Sequence, residues 1–157
     1  MVKVLMVCLG NICRSPMAEG ILRHKAEELG LNIEVDSAGF ESFHTGDKPD
    51  QRAIMTAKKY GVDISNLRAR VFRYDDFKNF DYIYVMDKNN YRDVIDCART
   101  EDDKKKVDLI LNTIFPNENR IVPDPYYGGI SGFENVFELL YSACAEIVEN
   151  VRLFQKS

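Results

Sequence analysis

Positive charge is scarce in this chain of 157 residues: 21 Lys and Arg stand against 25 Asp and Glu, a net charge of −4. A nucleic-acid surface built on bulk basic charge is therefore not expected, and any anion has to be captured locally. Long apolar runs are also lacking. The first, Val2 to Cys8, is far shorter than the about 20 residues of a membrane span. It carries no cleavage signature and is cut by Gly10-Asn11, so it reads as a buried strand of a cytoplasmic protein. Histidine occurs twice, and both His24 and His44 read as surface or packing residues, with His44 placed beside Phe43 where it could touch a substrate. Four cysteines, at positions 8, 13, 97 and 144, form no CxxC pair and no zinc-type pattern with histidine, so neither a metal nor a cofactor is expected. Cys97 and Cys144 read as small buried hydrophobes. Repeats, low-complexity tracts and Pro/Gly/Ser-rich linkers are missing, which leaves one domain over 1–157 as the simplest organisation.

Apolar strands alternate with amphipathic stretches from end to end, the pattern of an α/β domain around a parallel sheet. Strands are expected at about 2–8, 33–38, 81–86 and 107–112. The first helix should start with Ser15 as N-cap and Pro16 at its first position, bury Ala18, Ile21, Leu22, Ala26 and Leu29, and end at Gly30. A second is expected from about Asp50 to Tyr60, stopped by Gly61, and a third after Asp87. Ser131-Gly132-Phe133-Glu134 fits a capping box for the last helix, whose stripe runs through Phe133, Phe137, Leu140, Cys144, Ile147, Val151 and Phe154. The Lys104-Lys105-Lys106 run reads as a solvated turn.

The chemistry concentrates in Cys8-Leu9-Gly10-Asn11-Ile12-Cys13-Arg14-Ser15-Pro16, a loop between the first strand and first helix. Successive amides of Leu9, Gly10, Asn11, Ile12, Cys13 and Arg14 can form a nest around phosphoryl oxygens, and the planar Arg14 fork can grip two of them. A helix N-terminus and a neighbouring arginine favour the thiolate of Cys8, which then needs no base to attack. Gly10 and Asn11 should supply positive-φ positions, and the Ser15 hydroxyl can donate to the sulfur. A Walker-type loop is excluded, because the Gly-Lys-Ser/Thr ending is absent.

An aryl phosphate departs as a phenoxide whose conjugate acid has a pKa near 10, so a proton donor should speed the step by roughly a hundred- to ten-thousand-fold. Asp124 is the candidate: Pro123 and Pro125 stiffen the backbone on either side, and a bound phosphate dianion favours its protonated form. Tyr126 and Tyr127 follow directly, and their rings could sandwich an aryl group.

On these residues the chain resembles the low-molecular-weight protein tyrosine phosphatases over nearly its whole length. The resemblance also rests on Asp36-Ser37-Ala38-Gly39, on Phe80-Asp81-Tyr82-Ile83 with Met86-Asp87, and on Asp124-Pro125-Tyr126-Tyr127-Gly128. It implies a three-layer α/β sandwich with a four-stranded parallel sheet in the order 2-1-3-4 and the phosphate-binding loop between strand 1 and helix 1. It further implies Cys8 as nucleophile, Arg14 as phosphate clamp, Asp124 as general acid and then base, Ser15 and Asn11 as loop organisers, and an aromatic wall of Tyr126, Tyr127 and Phe43. The activity it implies is metal-independent hydrolysis of phosphotyrosine in proteins, and of small aryl phosphates in the manner of an acid phosphatase, through a phosphocysteine. Inorganic phosphate or other oxyanions would sit in the loop of a monomer or weakly self-associating protein. Ile12 suits phosphotyrosine, since similar bacterial arginine phosphatases carry threonine there. Leu67 replaces a histidine that many members have, so the network bracing Asn11 through Ser37 would lack a member.

Cys13 lies close enough in the curled loop to form a reversible disulfide with Cys8. Three rival readings compete. A thioredoxin-coupled arsenate reductase needs a downstream cysteine pair, and Cys97 and Cys144 are far apart in sequence. A phosphate- or phosphopeptide-binding module would not need Asp124 beside an aryl-sized pocket, and a thiol-based redox sensor without hydrolase activity is the third reading.

Overall fold

Side chains of Val4 and Met6 join one buried cluster while Leu5 and Val7 join another, so strand β1 (Val2–Val7) is buried on both faces and its pleat feeds two cores. It sits between β2 (Ile33–Ala38) and β3 (Tyr82–Val85), with Val7 opposite both Ala38 and Val85, and β3 pairs outward with β4 (Val107–Leu109). All pairings are parallel and the order is β2-β1-β3-β4, as the resemblance implied. The computed structural model describes residues 1–126 and 128–156, the last without its side chain.

Helices cover both faces. Helices α1 (Arg14–Leu29), α2 (Gln51–Lys59) and the long α6 (Ile130–Lys156) pack over Val4 and Met6, burying Met17, Ile21, Ala53, Phe133, Phe137 and Cys144. The short α3 (Asp76–Asn79) and the helix α4 (Lys88–Cys97) cover Leu5 and Val7 with Phe77 and Val94. A further short helix, α5 (Glu101–Lys105), precedes β4. Asp50 caps α2 by accepting the Arg52 amide, and Asp87 caps α4 in a reciprocal box with Asn90. Among the described residues no helix is long and apolar enough to cross a membrane.

Several local expectations need correction. Helix α1 starts at Arg14 with Cys13 at the N-cap position and no side-chain cap, because the Ser15 hydroxyl is engaged elsewhere. At its other end Gly30 takes φ 64° and the Leu31 amide bonds back to the Ala26 carbonyl, which turns Leu31 against the core and leaves Leu29 outside. The last helix begins at Ile130, so Ser131 lies within its first turn rather than at its N-cap. That helix outruns the sheet: Val151 is its last buried residue and Phe154 is 78% exposed. The fourth strand gives way to a 3-10 turn at Ile110–Thr113. Lys104 and Lys105 end α5 on the surface, whereas Lys106 turns inward to donate to the carbonyls of Phe77 and, at 3.0 Å, Phe80. Cys144 is fully buried, as expected, but Cys97 is exposed.

Candidate active site

Cys8 follows β1 immediately, and its amide donates to Ala38 of β2, so the sheet itself fixes where the sulfur stands. The loop carbonyls that follow are taken by neighbouring backbone: Leu9 accepts the amides of Phe40 and Glu41, and Ile12 accepts that of Asp50 at 2.7 Å. The amides of Leu9 to Arg14, by contrast, donate to no protein acceptor among the described residues. A run of free N–H groups at the start of a helix is a nest for an anion.

Arg14 closes this cup. Only 2% of it is exposed, yet it is fully partnered on one nitrogen: Nη1 donates to Asp87 Oδ2 at 2.7 Å and to the Val122 carbonyl at 2.9 Å. Nη2 stands 3.6 Å from Asp124 Oδ2. Burial alone would lower the guanidinium pKa, but the charges of Cys8, Asp87 and Asp124 outweigh it and hold the group above its ordinary value. Arg14 is a fixed cation.

Asp124 is half-exposed at the mouth, where its Oδ1 accepts the Tyr126 amide at 3.0 Å in a tight local turn. Cys8, Arg14 and Asp124 all line one pocket of about 210 Å³, together with Tyr126 and with Phe43, 74% of which is exposed. Tyr127, expected in the aromatic wall, lies outside the described residues. Cys13 lines the same pocket, and its thiol is pushed far up by burial and by the charges of Asp50, Cys8 and Asp124.

The chain matches the family described as low molecular weight phosphotyrosine protein phosphatase over residues 3–156. It belongs to that family. The low molecular weight phosphotyrosine protein phosphatase of Schizosaccharomyces pombe is 43% identical over 139 residues, 87% of this chain and 88% of that one. Among solved structures, a protein tyrosine phosphatase from Entamoeba histolytica superposes with a TM-score of 0.91 at 36% identity, covering 99% of both chains. An arginine phosphatase of Drosophila superposes with a TM-score of 0.88 at 35% identity, covering 95% of this chain and 97% of that one. Membership places the chain among the phosphoric monoester hydrolases.

In this phosphatase the support beneath the loop is richer than its sequence suggested. Asn11, at φ 56°, donates through Nδ2 to Ser15 Oγ at 2.7 Å and Ser37 Oγ at 2.9 Å, and its Oδ1 accepts the Arg70 amide at 2.9 Å. The Ser37 hydroxyl donates to a buried Glu19 oxygen at 2.6 Å, and Arg23 donates to the other Glu19 oxygen at 2.6 Å. The network therefore closes without position 67, where Leu67 packs against the core instead. Gly10 does not adopt positive φ; its lack of a side chain leaves room for the His44 ring, which a Cβ would meet at 3.2 Å. The critical glycine is Gly39, where a Cβ would stand 2.8 Å from both the Asn11 amide and the Leu9 carbonyl. His44 lines the pocket beside Phe43, whereas Asp87, Glu19, Arg52, Gly39 and the pocket-lining Glu41 are the parts that sequence reasoning left without a role. Asp87 offered a signal, since it directly follows a strand and opens a helix; Glu19 offered none beyond its place on an otherwise buried helix face.

Proposed function

We propose that this single-domain, cytoplasmic phosphatase hydrolyses phosphotyrosine in proteins, and small aryl phosphates, through a phosphocysteine. The observation that carries this reading is the convergence of the Cys8 sulfur, the Arg14 guanidinium and the Asp124 carboxyl on one pocket floored by free amides. In the first step Cys8 Sγ attacks phosphorus, the bond to the tyrosyl oxygen breaks, and Asp124 gives its proton to that oxygen. In the second, the Asp124 carboxylate takes a proton from water as the water oxygen attacks phosphorus. The P–S bond breaks and phosphate leaves. Arg14, the loop amides and the α1 N-terminus supply the positive field for the transferring group, so no metal enters the scheme. Ser15, 3.0 Å from the sulfur, stabilises the thiolate before attack and after its departure.

Tyr126 and Phe43 suit an aryl group at the mouth, with Tyr127 proposed beside them, and the apolar Ile12 beside the nest favours tyrosine over phosphoarginine. The reaction needs Cys8 as a reduced thiol, which the cytoplasm maintains. Under peroxide, Cys8 is oxidised to a sulfenic acid, which condenses with the Cys13 thiol and releases water to give a disulfide. The chain acts as a monomer or weakly self-associating protein.

Phosphate release from phosphotyrosine, phosphoserine and phosphoarginine peptides, measured in chelator, tests the proposal. Phosphotyrosine turnover lost in Cys8→Ser is the expected result. Substantial turnover by Cys8→Ser would remove the sulfur from the mechanism, and preference for phosphoarginine would replace the substrate. Binding of phosphotyrosine without release would make the chain a capture module.

A further inference from the structure

Asp124 has few holds of its own: one amide inside its turn and a 3.6 Å approach to Arg14. The segment that carries it is tied down at two places. Before Asp124, Val122 donates its amide to Met86 and accepts Arg14 at its carbonyl. After Asp124, Arg52 on the first turn of α2 reaches across to the segment. Its Nη2 donates to the Tyr126 carbonyl at 2.8 Å and its Nη1 to the Gly128 carbonyl at 3.0 Å. Nε and Nη2 together grip both Asp50 oxygens at 3.0 Å, and the guanidinium carbon lies 4.6 Å from the Phe133 ring centre and 5.5 Å from that of Tyr126.

Asp50 is itself joined to the phosphate loop, through its amide to the Ile12 carbonyl. A continuous path thus runs from the Cys8 loop through Asp50 and Arg52 to the two carbonyls just past the acid. We propose that Arg52 is a positioning residue for catalysis: it clasps the segment bearing Asp124 and Tyr126 onto α2 and so sets the acid and the aryl wall above Cys8. The inference rests on Asp124 acting as proposed above. Arginine is required because one planar fork serves a carboxylate and two carbonyls at once, a task beyond the single point charge of lysine.

The test is kcat/KM across aryl phosphates whose phenols range from weakly to strongly acidic, measured for the unaltered chain, Arg52→Gln, Arg52→Lys, Asp124→Ala and the Arg52→Gln/Asp124→Ala pair. Inhibition by inorganic phosphate is read in parallel as a check that the cup and the fold persist. Misplacing the acid should cost about tenfold or more on phosphotyrosine but less than about threefold on p-nitrophenyl phosphate, whose leaving group needs little proton transfer. Arg52→Lys should resemble Arg52→Gln, the double variant should be no slower than Asp124→Ala, and phosphate inhibition should hold within about twofold. A loss uniform across leaving groups, a loss additive with Asp124→Ala, full rescue by lysine, weakened phosphate inhibition or no loss would each overturn the assignment. Failure of the unaltered chain to turn over any aryl phosphate would bring down the phosphatase reading as well, whereas failure confined to the Arg52 variants brings down only this one.

Discussion

Asn11 Nδ2 lies 2.7 Å from Ser15 Oγ, and because Asn11 Oδ1 accepts the Arg70 amide, the nitrogen is the atom that faces the serine. The serine oxygen therefore accepts from Asn11 and keeps its hydrogen for Cys8 Sγ, 3.0 Å away. Ser37, the other partner of Nδ2, likewise accepts from Asn11 and donates to Glu19. One asparagine fixes the direction of every proton beneath the sulfur.

Ser15→Ala should leave the fold intact and slow turnover by about ten- to a hundredfold, the worth of one hydrogen bond to a charged atom. Alkylation of Cys8 by iodoacetate at neutral pH should slow in parallel. An unchanged alkylation rate would show that Ser15 does not serve the thiolate.

Gly39→Ala places a methyl group 2.8 Å from two backbone atoms of the phosphate loop, neither of which can rotate away. The loop must shift, at a cost of about 1–3 kcal/mol in stability. Thermal unfolding should fall by a few degrees per kcal/mol, and phosphate affinity should fall with it. A variant with unaltered phosphate affinity would mean that the loop has slack.

Glu19 gives a pH signature. Burial raises its pKa above the ordinary 4.5, against the opposing bonds from Ser37 and Arg23. The folded state therefore binds this proton more tightly than the unfolded chain. The associated stability is fully present below about pH 4.5 and is lost as pH rises through the higher folded value. Compared with the unaltered chain, Glu19→Gln should unfold in denaturant with a midpoint that declines less between those limits. Parallel curves for the two proteins would assign the pH dependence to other carboxylates.

Cys13→Ser should remove protection against oxidation. After mild peroxide the unaltered chain should lose two hydrogens in mass and regain activity with a thiol reductant, whereas Cys13→Ser should progress to Cys8 sulfinic or sulfonic acid and stay inactive. Equal recovery of both proteins would argue against the pairing.

Most of the fold was legible because its signals are local: the mainly apolar run of β1, Gly30 after α1, Asp50 and Asp87 at helix starts. The phosphate loop was legible for the same reason, all its parts being contiguous. What sequence could not supply were partnerships across distance. Ser15 has every mark of a helix cap, yet its hydroxyl is claimed by Cys8 and Asn11, a competition visible only once the loop curls. Gly10 stood inside the motif and drew attention, while the glycine that lets the loop pack close was Gly39, just past β2. Arg52 looks like any helix surface arginine until the chain past Asp124 returns to meet it.

The pairing of Val7 with Val85 puts Cys8 and Asp87 just beyond the same end of two adjoining strands, and the Arg14 to Asp87 bond spans the crevice between them. Main-chain register, rather than loop conformation, thus sets the spacing between the sulfur and the counter-ion that steadies its arginine. Any partly melted form that has lost this strand pair is also an inactive one, so heat or denaturant should abolish turnover and central-sheet order in a single coincident transition.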